Sequence, residues 1–463
     1  MLRPQHLARR SALILASLSL SPLPAFAADS ADLQTIRQEF DSLRTQLRQD
    51  YENRIADLEQ RLKAAEAAVA VARETPGKPA AETAPAKPAS RGNAFNPEIG
   101  MVLSGTYANL KRNPEDYRIT GFVPGGEIGP GARGFSLGES ELMLSANVDQ
   151  LFYGNLTLAV SPENEVSAEE AFIQTTSLPQ GARIKAGRFF SGIGYVNGQH
   201  AHTWDFVDSP LVYQAFLGGQ YAQDGIQASW IAPTQTFVEL GAEAGRGANF
   251  PGNTRQNNKP GAQALFAHVG GDVGVSHSWR AGLSWLRHAV QDRSQTDTDL
   301  AGSAVDSLFT GRSQLWAADF VWKWAPNGNG ERQNLKLQGE YFRRKETGQF
   351  AFDTANANLQ DAYRASQSGW YLQSVFQFMP AWRIGARYDR LNSGTVDYAS
   401  NGDFLANPRT RPSKTSVMVD WSPSEFSRLR LQLARDKSRE DRADQQIFLQ
   451  YQMSLGAHGA HSY

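Results

Sequence analysis

The sequence predicts an all-β membrane barrel of about sixteen antiparallel strands. Three observations predict it. Segments between residues 99 and 456 alternate apolar and polar side chains with a period of two. Aromatic residues gather at the ends of those segments. The connections alternate between tight turns and long stretches.

The composition fits such a chain. It has 463 residues, no Cys, 41 Gly, 24 Phe, 14 Tyr, 10 Trp and a net charge of −1. Mean hydropathy is −0.46, an unusual partner for so many aromatics. Absence of Cys excludes disulfide scaffolds, thiolate zinc sites and cysteine nucleophiles. A net charge near zero gives no electrostatic footprint for nucleic acid. A barrel with a wet interior and a lipid-facing exterior reconciles polar hydropathy with aromatic richness, and predicts one domain without a conventional core.

Four regions follow one another: 1–27, 28–74, 75–98 and 99–463. The first reads as a secretory signal peptide: Arg3, Arg9 and Arg10 precede an apolar run from Ala12 to Leu20, and Ala25-Phe26-Ala27 offers a small-x-small cleavage site. That run is too short to span a membrane. From 31 to 73 there is no Gly or Pro, and Leu33, Ile36, Phe40, Leu43 and Leu47 follow 3-4 spacing, resumed by Ile55, Leu58, Leu62, Ala65 and Val69. This heptad pattern predicts a periplasmic coiled coil, hence an oligomer. Residues 75–93 are rich in Pro, Ala and Lys without periodicity and predict an extended tether.

The strands begin near 99–109, 136–148, 152–160, 166–176 and 183–190. They continue at 225–232, 236–245, 262–270, 276–286, 314–324, 333–344, 369–379, 382–390, 413–421, 427–436 and 445–456. In 427–436, Leu429, Leu431 and Leu433 oppose Arg428, Arg430 and Gln432. A soluble sandwich would turn the leucines inward and a membrane barrel would turn them to lipid. Trp324, Trp382 and Trp421 beside Pro326, Pro380 and Pro423 read as an interfacial girdle and favour the barrel. So do long connections at 110–135, 191–224, 246–261, 287–312, 345–368 and 391–412, and the terminal aromatic Tyr463. An even strand count places both barrel ends on the periplasmic side.

The third long-side connection, 191–224, carries His200, His202, Trp204, Asp205, Phe206 and Asp208, too aromatic for a solvated loop. Two readings stay open: it lines a constriction, or it packs at the rim or between protomers. Strand parity turns Arg183, Lys185, Arg280, Lys336, Arg383, Arg387, Arg428 and Arg430 inward. Cationic rings in a pore favour anions. Glu141, Glu239, Glu340, Asp389 and Asp420 share that side, so a salt-bridged wall is the competing reading.

Signal peptide, coiled coil, Pro/Ala linker and sixteen-stranded barrel together resemble the phosphate-selective porins O and P and related coiled-coil-bearing diffusion channels of Gram-negative outer membranes. The resemblance lies in the architecture of the whole chain, without an aligned basic ladder. It implies an outer-membrane homotrimer, a third loop folded inward, and passive diffusion of small solutes with an anion preference rather than enzymatic activity. A role of the coiled coil in touching peptidoglycan is a further expectation. The alternative is zinc or other metal uptake, in which His200 and His202, with Asp205 and Asp208 nearby, or the terminal His458 and His461, supply ligands. A lipase-like barrel would need a nucleophile with His nearby: the Gly-x-Ser-x-Gly run Gly134-Phe135-Ser136-Leu137-Gly138 is not followed by the helix pattern of a nucleophile elbow, and the His residues sit in mixed surroundings.

Overall fold

A computed structural model describes residues 97–456, apart from 124, 127, 163–164, 254–256, 406–408 and 440–441, together with the isolated Gln49. The predicted signal peptide, the coiled coil apart from Gln49, nearly all of the linker, and His458, His461 and Tyr463 lie outside the described residues.

The strands are β1 (Glu98–Leu110), β2 (Gly134–Leu137), β3 (Ser140–Asn147), β4 (Phe152–Val160), β5 (Val166–Thr175), β6 (Ala182–Phe190), β7 (Ala222–Ile231), β8 (Phe237–Gly245) and β9 (Ala262–Val273). They continue as β10 (His277–Thr298), β11 (Ala304–Trp324), β12 (Asn334–Phe352), β13 (Leu359–Met379), β14 (Trp382–Asp397), β15 (Ser413–Ser424), β16 (Ser427–Asp436) and β17 (Asp444–Gly456). From β3 onward each strand pairs antiparallel with the next, and β1 closes the ring against β17, from Gly100↔Gly456 to Leu110↔Gln446. The other edge of β1 pairs with both β2 and β3, which form one interrupted stave. The barrel therefore has sixteen staves built from seventeen strands. The break falls at Gly138, whose N–H donates to the Ser104 carbonyl at 2.9 Å. A Cβ there would lie 2.3 Å from Ser104 Oγ, so only glycine permits this approach.

The alternation resolves as lipid outside and polar inside. On β16, Leu429, Leu431 and Leu433 are 38–45% exposed, whereas Arg430 and Gln432 are almost fully buried. A soluble protein would show the reverse. Trp316, Phe320, Tyr341, Trp370 and Leu372 continue the apolar exterior. Trp382 and Trp421 are register partners on adjacent strands and stack at 6.0 Å. Among the described residues closure leaves no sheet edge open to hydrocarbon, the condition for a β-structure to cross a membrane. This is a membrane-type β-barrel, apolar outside and polar inside.

Expectations about three connections are corrected. Residues 287–312 and 345–368 are not long loops. β10 and β11 run on until only 299–303 separates them, and β12 and β13 until only 353–358 does. The apolar alternation fades there because these extensions have no lipid face. The ladder continues, with polar Gln295, Ser307 and Ser313 buried inside. The stretch 391–412 is likewise partly strand, since β14 reaches Asp397.

The expectation of a barrel without a core is also overturned. A buried apolar cluster fills part of the lumen. It joins Ile119 and Phe122 from the β1–β2 loop, the helix α1 (Leu211–Leu217) from the β6–β7 loop, and inward residues such as Leu286, Phe342, Tyr371 and Leu391. All seven residues of α1 are buried. Phe216 meets Phe122 at 5.6 Å and Phe342 at 6.2 Å between ring centroids. A second cluster of Phe309, Phe350, Phe352, Tyr363 and Leu405 occupies the extended ends of β11–β13.

Candidate functional site

The β6–β7 loop, residues 191–221, lies within the lumen. Its entry is fixed by buried acids on the wall. Glu243 accepts from Ser191 Oγ at 2.6 Å and from Gly192 N–H at 2.8 Å. Glu340 accepts from Tyr195 N–H at 3.0 Å, Tyr213 Oη at 2.9 Å and Tyr371 Oη at 2.7 Å. Gly194 adopts φ +67° beside these groups, and a Cβ there would lie 2.5 Å from Tyr213 Oη.

Beyond that anchor the loop spans two walls of opposite charge. On the β3–β5 side, His202 Nδ1 lies 2.7 Å from Glu141 Oε1. His200 Nδ1 lies 3.0 Å from Glu169 Oε2 and 3.2 Å from Glu141 Oε2, and its Nε2 lies 3.3 Å from Glu170 Oε2. Burial alone would lower the His200 pKa, but the three carboxylates outweigh it and hold the imidazole well above its ordinary value.

On the opposite side the loop carries acids to a basic wall. Asp205 meets Lys336 at 2.5 Å, Arg383 at 3.3 Å and Gln373 at 2.9 Å. Asp208 meets Lys414 at 2.8 Å, Arg387 at 3.1 Å and Gln432 at 2.8 Å. Burial acts to raise both carboxyl pKa values. Lys336 and Arg383 at Asp205, and Lys414 and Arg387 at Asp208, hold them well below the usual carboxylate range instead.

Strand register explains how the wall holds so many charges. Asp420 is the direct cross-strand partner of both Arg383 and Arg430. Six residues further along the strands, Asp389, Lys414 and Asp436 alternate across β14–β16, and Asp436 then faces Asp444, whose other neighbour is Arg439 at 3.6 Å. Opposite charges at facing positions are stabilising and let each buried ion find a partner.

The structure thus brings most of the sequence candidates together, in different company than their spacing suggested. His200 and His202 turn to one wall while Asp205 and Asp208 turn to the other, so these four do not form a common ligand set. Trp204 does not face open space: its Nε1–H donates to the Gln199 carbonyl within the loop at 3.0 Å. Arg280 pairs with Asp319 at 3.2 Å and lies over the Tyr195 ring at 5.3 Å. Arg387 pairs with Asp389 at 3.0 Å as well as with Asp208. Arg428 donates to the His202 carbonyl at 2.5 Å and to Gln452. Arg430 donates to the Trp204 carbonyl at 2.6 Å and to Gln450 at 3.1 Å. Glu169, Glu170 and Lys414 complete the two walls and were missed. For Lys414 a signal existed, since its parity matches the inward Ser416 and Asp420.

Open space lies around the loop toward the short-turn end of the barrel. One cavity of 550 Å³ is lined by His202, Gln377, Arg383, Arg428 and Gln452. Another of 760 Å³ shares Arg383 and adds Lys323 and Lys336. A third of 710 Å³ follows the β5–β10 wall past Lys185, Tyr195, Glu239, His268 and Arg280. Short turns mark the periplasmic end of outer-membrane barrels, so these cavities form a vestibule below the loop.

Among known proteins, an uncharacterized protein of Aquifex aeolicus (strain VF5) is 29% identical over 398 residues, 80% of each chain. No family model matches. Three solved structures are similar at low identity. The trimer form of OmpT, an outer membrane protein of Vibrio cholerae, is 11% identical, with 78% of this chain and 100% of that one covered and a TM-score of 0.49. The outer membrane channel DcaP of Acinetobacter baumannii is 10% identical, with 79% and 99% covered and a TM-score of 0.47. An anion-selective porin from Comamonas acidovorans is 10% identical, with 78% and 99% covered and a TM-score of 0.45.

Proposed function

We propose that this porin-like barrel is a diffusion channel for small hydrophilic solutes, that it prefers anions, phosphate among them, and that it performs no enzymatic reaction. The observation that carries the preference is the charge of the vestibule on the β11–β16 side. Lys323, Lys336, Arg383, Arg428 and Arg430 gather there with four carboxylates, Asp205, Asp272, Asp420 and Glu425, an excess of one positive charge. Low-dielectric walls focus that excess on the aqueous space between them. Because α1 and its apolar neighbours fill the lumen beside β12–β14, the solute route follows the β5–β10 wall, where Arg183, Lys185 and Arg280 stand beside Glu170 and Glu239.

The functional unit is a homotrimer in the outer membrane, stapled by the coiled coil predicted within 28–74, which also touches peptidoglycan. Reconstitution into planar bilayers tests the channel reading, and reversal potentials in a salt gradient test the anion preference. Deleting 31–73 should loosen the trimer on native gels. An oligomer unaffected by the deletion would assign assembly to the barrel walls.

A further inference from the structure

We propose that His200, Glu141 and Glu169 form a binding site for a divalent transition-metal ion of the Zn²⁺ class, which pins the inward loop to the β3–β5 wall. His200 Nδ1 lies 3.0 Å from Glu169 Oε2 and 3.2 Å from Glu141 Oε2. One ring nitrogen carries at most one proton, so it can satisfy only one of two carboxylates at that distance. Its hydrogen bond goes to Glu169. Glu141 Oε2, on a side chain with no solvent exposure, is left without a hydrogen-bond partner. In the metal-free protein the cation it faces is the His200 ring at 3.2 Å, and a bound metal ion would take that place as the Nδ1 proton leaves.

The spacing is that of a coordination shell. Zinc binds nitrogen and carboxylate oxygen at about 2.0–2.2 Å in a tetrahedron, which places neighbouring ligand atoms about 3.4 Å apart. The three atoms here lie within 4.8 Å of one another, with two of the separations at 3.0 and 3.2 Å. The outer contacts are also those of a metal centre. Glu170 stands 3.3 Å from His200 Nε2, where it would accept that N–H and turn Nδ1 toward the ion. His202 meets Glu141 through Oε1, which leaves Oε2 for the ion. Glu169 and His200 retain 12% and 18% side-chain exposure, enough for a water to complete the shell.

The donor set spans two wall strands and the loop, so a bound ion would tie the loop to the barrel at a point far from the Asp205 and Asp208 contacts. A mixed imidazole and carboxylate set suits Zn²⁺, Co²⁺ and Mn²⁺ better than Ca²⁺, which takes oxygen ligands alone.

The test uses the full chain, purified folded in detergent and stripped with a chelator. Titration calorimetry with Zn²⁺ should give one equivalent per protomer. Co²⁺ should give the intense visible absorption of a tetrahedral site, bleached by added Zn²⁺. Glu169→Gln and His200→Ala should each weaken binding by at least about tenfold. Because Glu141 also partners His202, the milder Glu169→Gln carries the comparison, with heat-modifiable migration as the check on folding. Absent heats with wild type overturn the proposal. So does Zn²⁺ uptake that survives both variants and disappears in His458→Ala/His461→Ala, since that places the ion at the C-terminus. Neither outcome depends on whether the barrel conducts.

Discussion

Replacing Asp208 by Asn should release the far side of the inward loop without unfolding the barrel. The carboxylate is 10% exposed and faces Lys414, Arg387 and Gln432. Removing one partner of a buried ion pair costs about 3–5 kcal/mol when the other charge is stranded. Here neither cation is fully stranded, because Arg387 keeps Asp389 at 3.0 Å and Lys414 keeps Asp436 at 3.5 Å. We therefore take the cost as about 2–3 kcal/mol, below the stranded-charge figure. That corresponds to about a 30- to 150-fold rise in the population with the loop detached. Hydrogen exchange read by mass spectrometry in detergent micelles measures such local opening directly. Amides of 205–217, among them Leu211 N–H, which donates to Asp389, should exchange faster by that factor. Strand amides on β10–β14 should not change. Unaltered protection across 205–217 would refute the reasoning and assign the loop's position to the apolar helix alone.

Three further outcomes are expected. Phe216→Ala empties a site packed between Phe122 and Phe342. At about 3–5 kcal/mol for a buried aromatic, it should loosen α1 and the β1–β2 loop together in the same exchange experiment. Acidification should leave the loop in place until low pH. Asp205 and Asp208 titrate below their unfolded value of about 4, so their ion pairs hold at full strength above it and are lost as pH falls through the depressed range. Hydrogen-exchange protection of the amides around 205–208 should hold down to about pH 4 and fall only below it. Arg428→Glu turns the vestibule's excess of one positive charge into one negative charge and should reduce the anion reversal potential measured in a salt gradient.

Much of the barrel was legible because lipid imposes a strict pattern. On β16 the leucines and the buried Arg430 and Gln432 alternate without exception, and all sixteen staves fall where alternation placed them. The extensions of β10–β13 were not legible, because above the membrane an outward residue need not be apolar and the period of two fades from view. The loop's inward fold could be anticipated from its aromatic load. Its partners could not be. Glu169 and Glu170 lie on β5, whose pairing with β4 slips at Thr157/Leu158, and they meet His200 only through the folded loop. The lumenal core was hidden for a related reason. Ile119 and Phe122 stand in a Gly- and Pro-rich stretch that resembles an exposed connection, and only packing against Phe216 reveals their burial.

The central claim is that this barrel conducts small solutes with a preference for anions. Planar-bilayer recording of the purified protein in a salt gradient tests it most directly. The account predicts stepwise current increases and a reversal potential of the sign given by anion flow. An absence of steps from correctly folded protein, or a reversal potential of the cation sign, would contradict it.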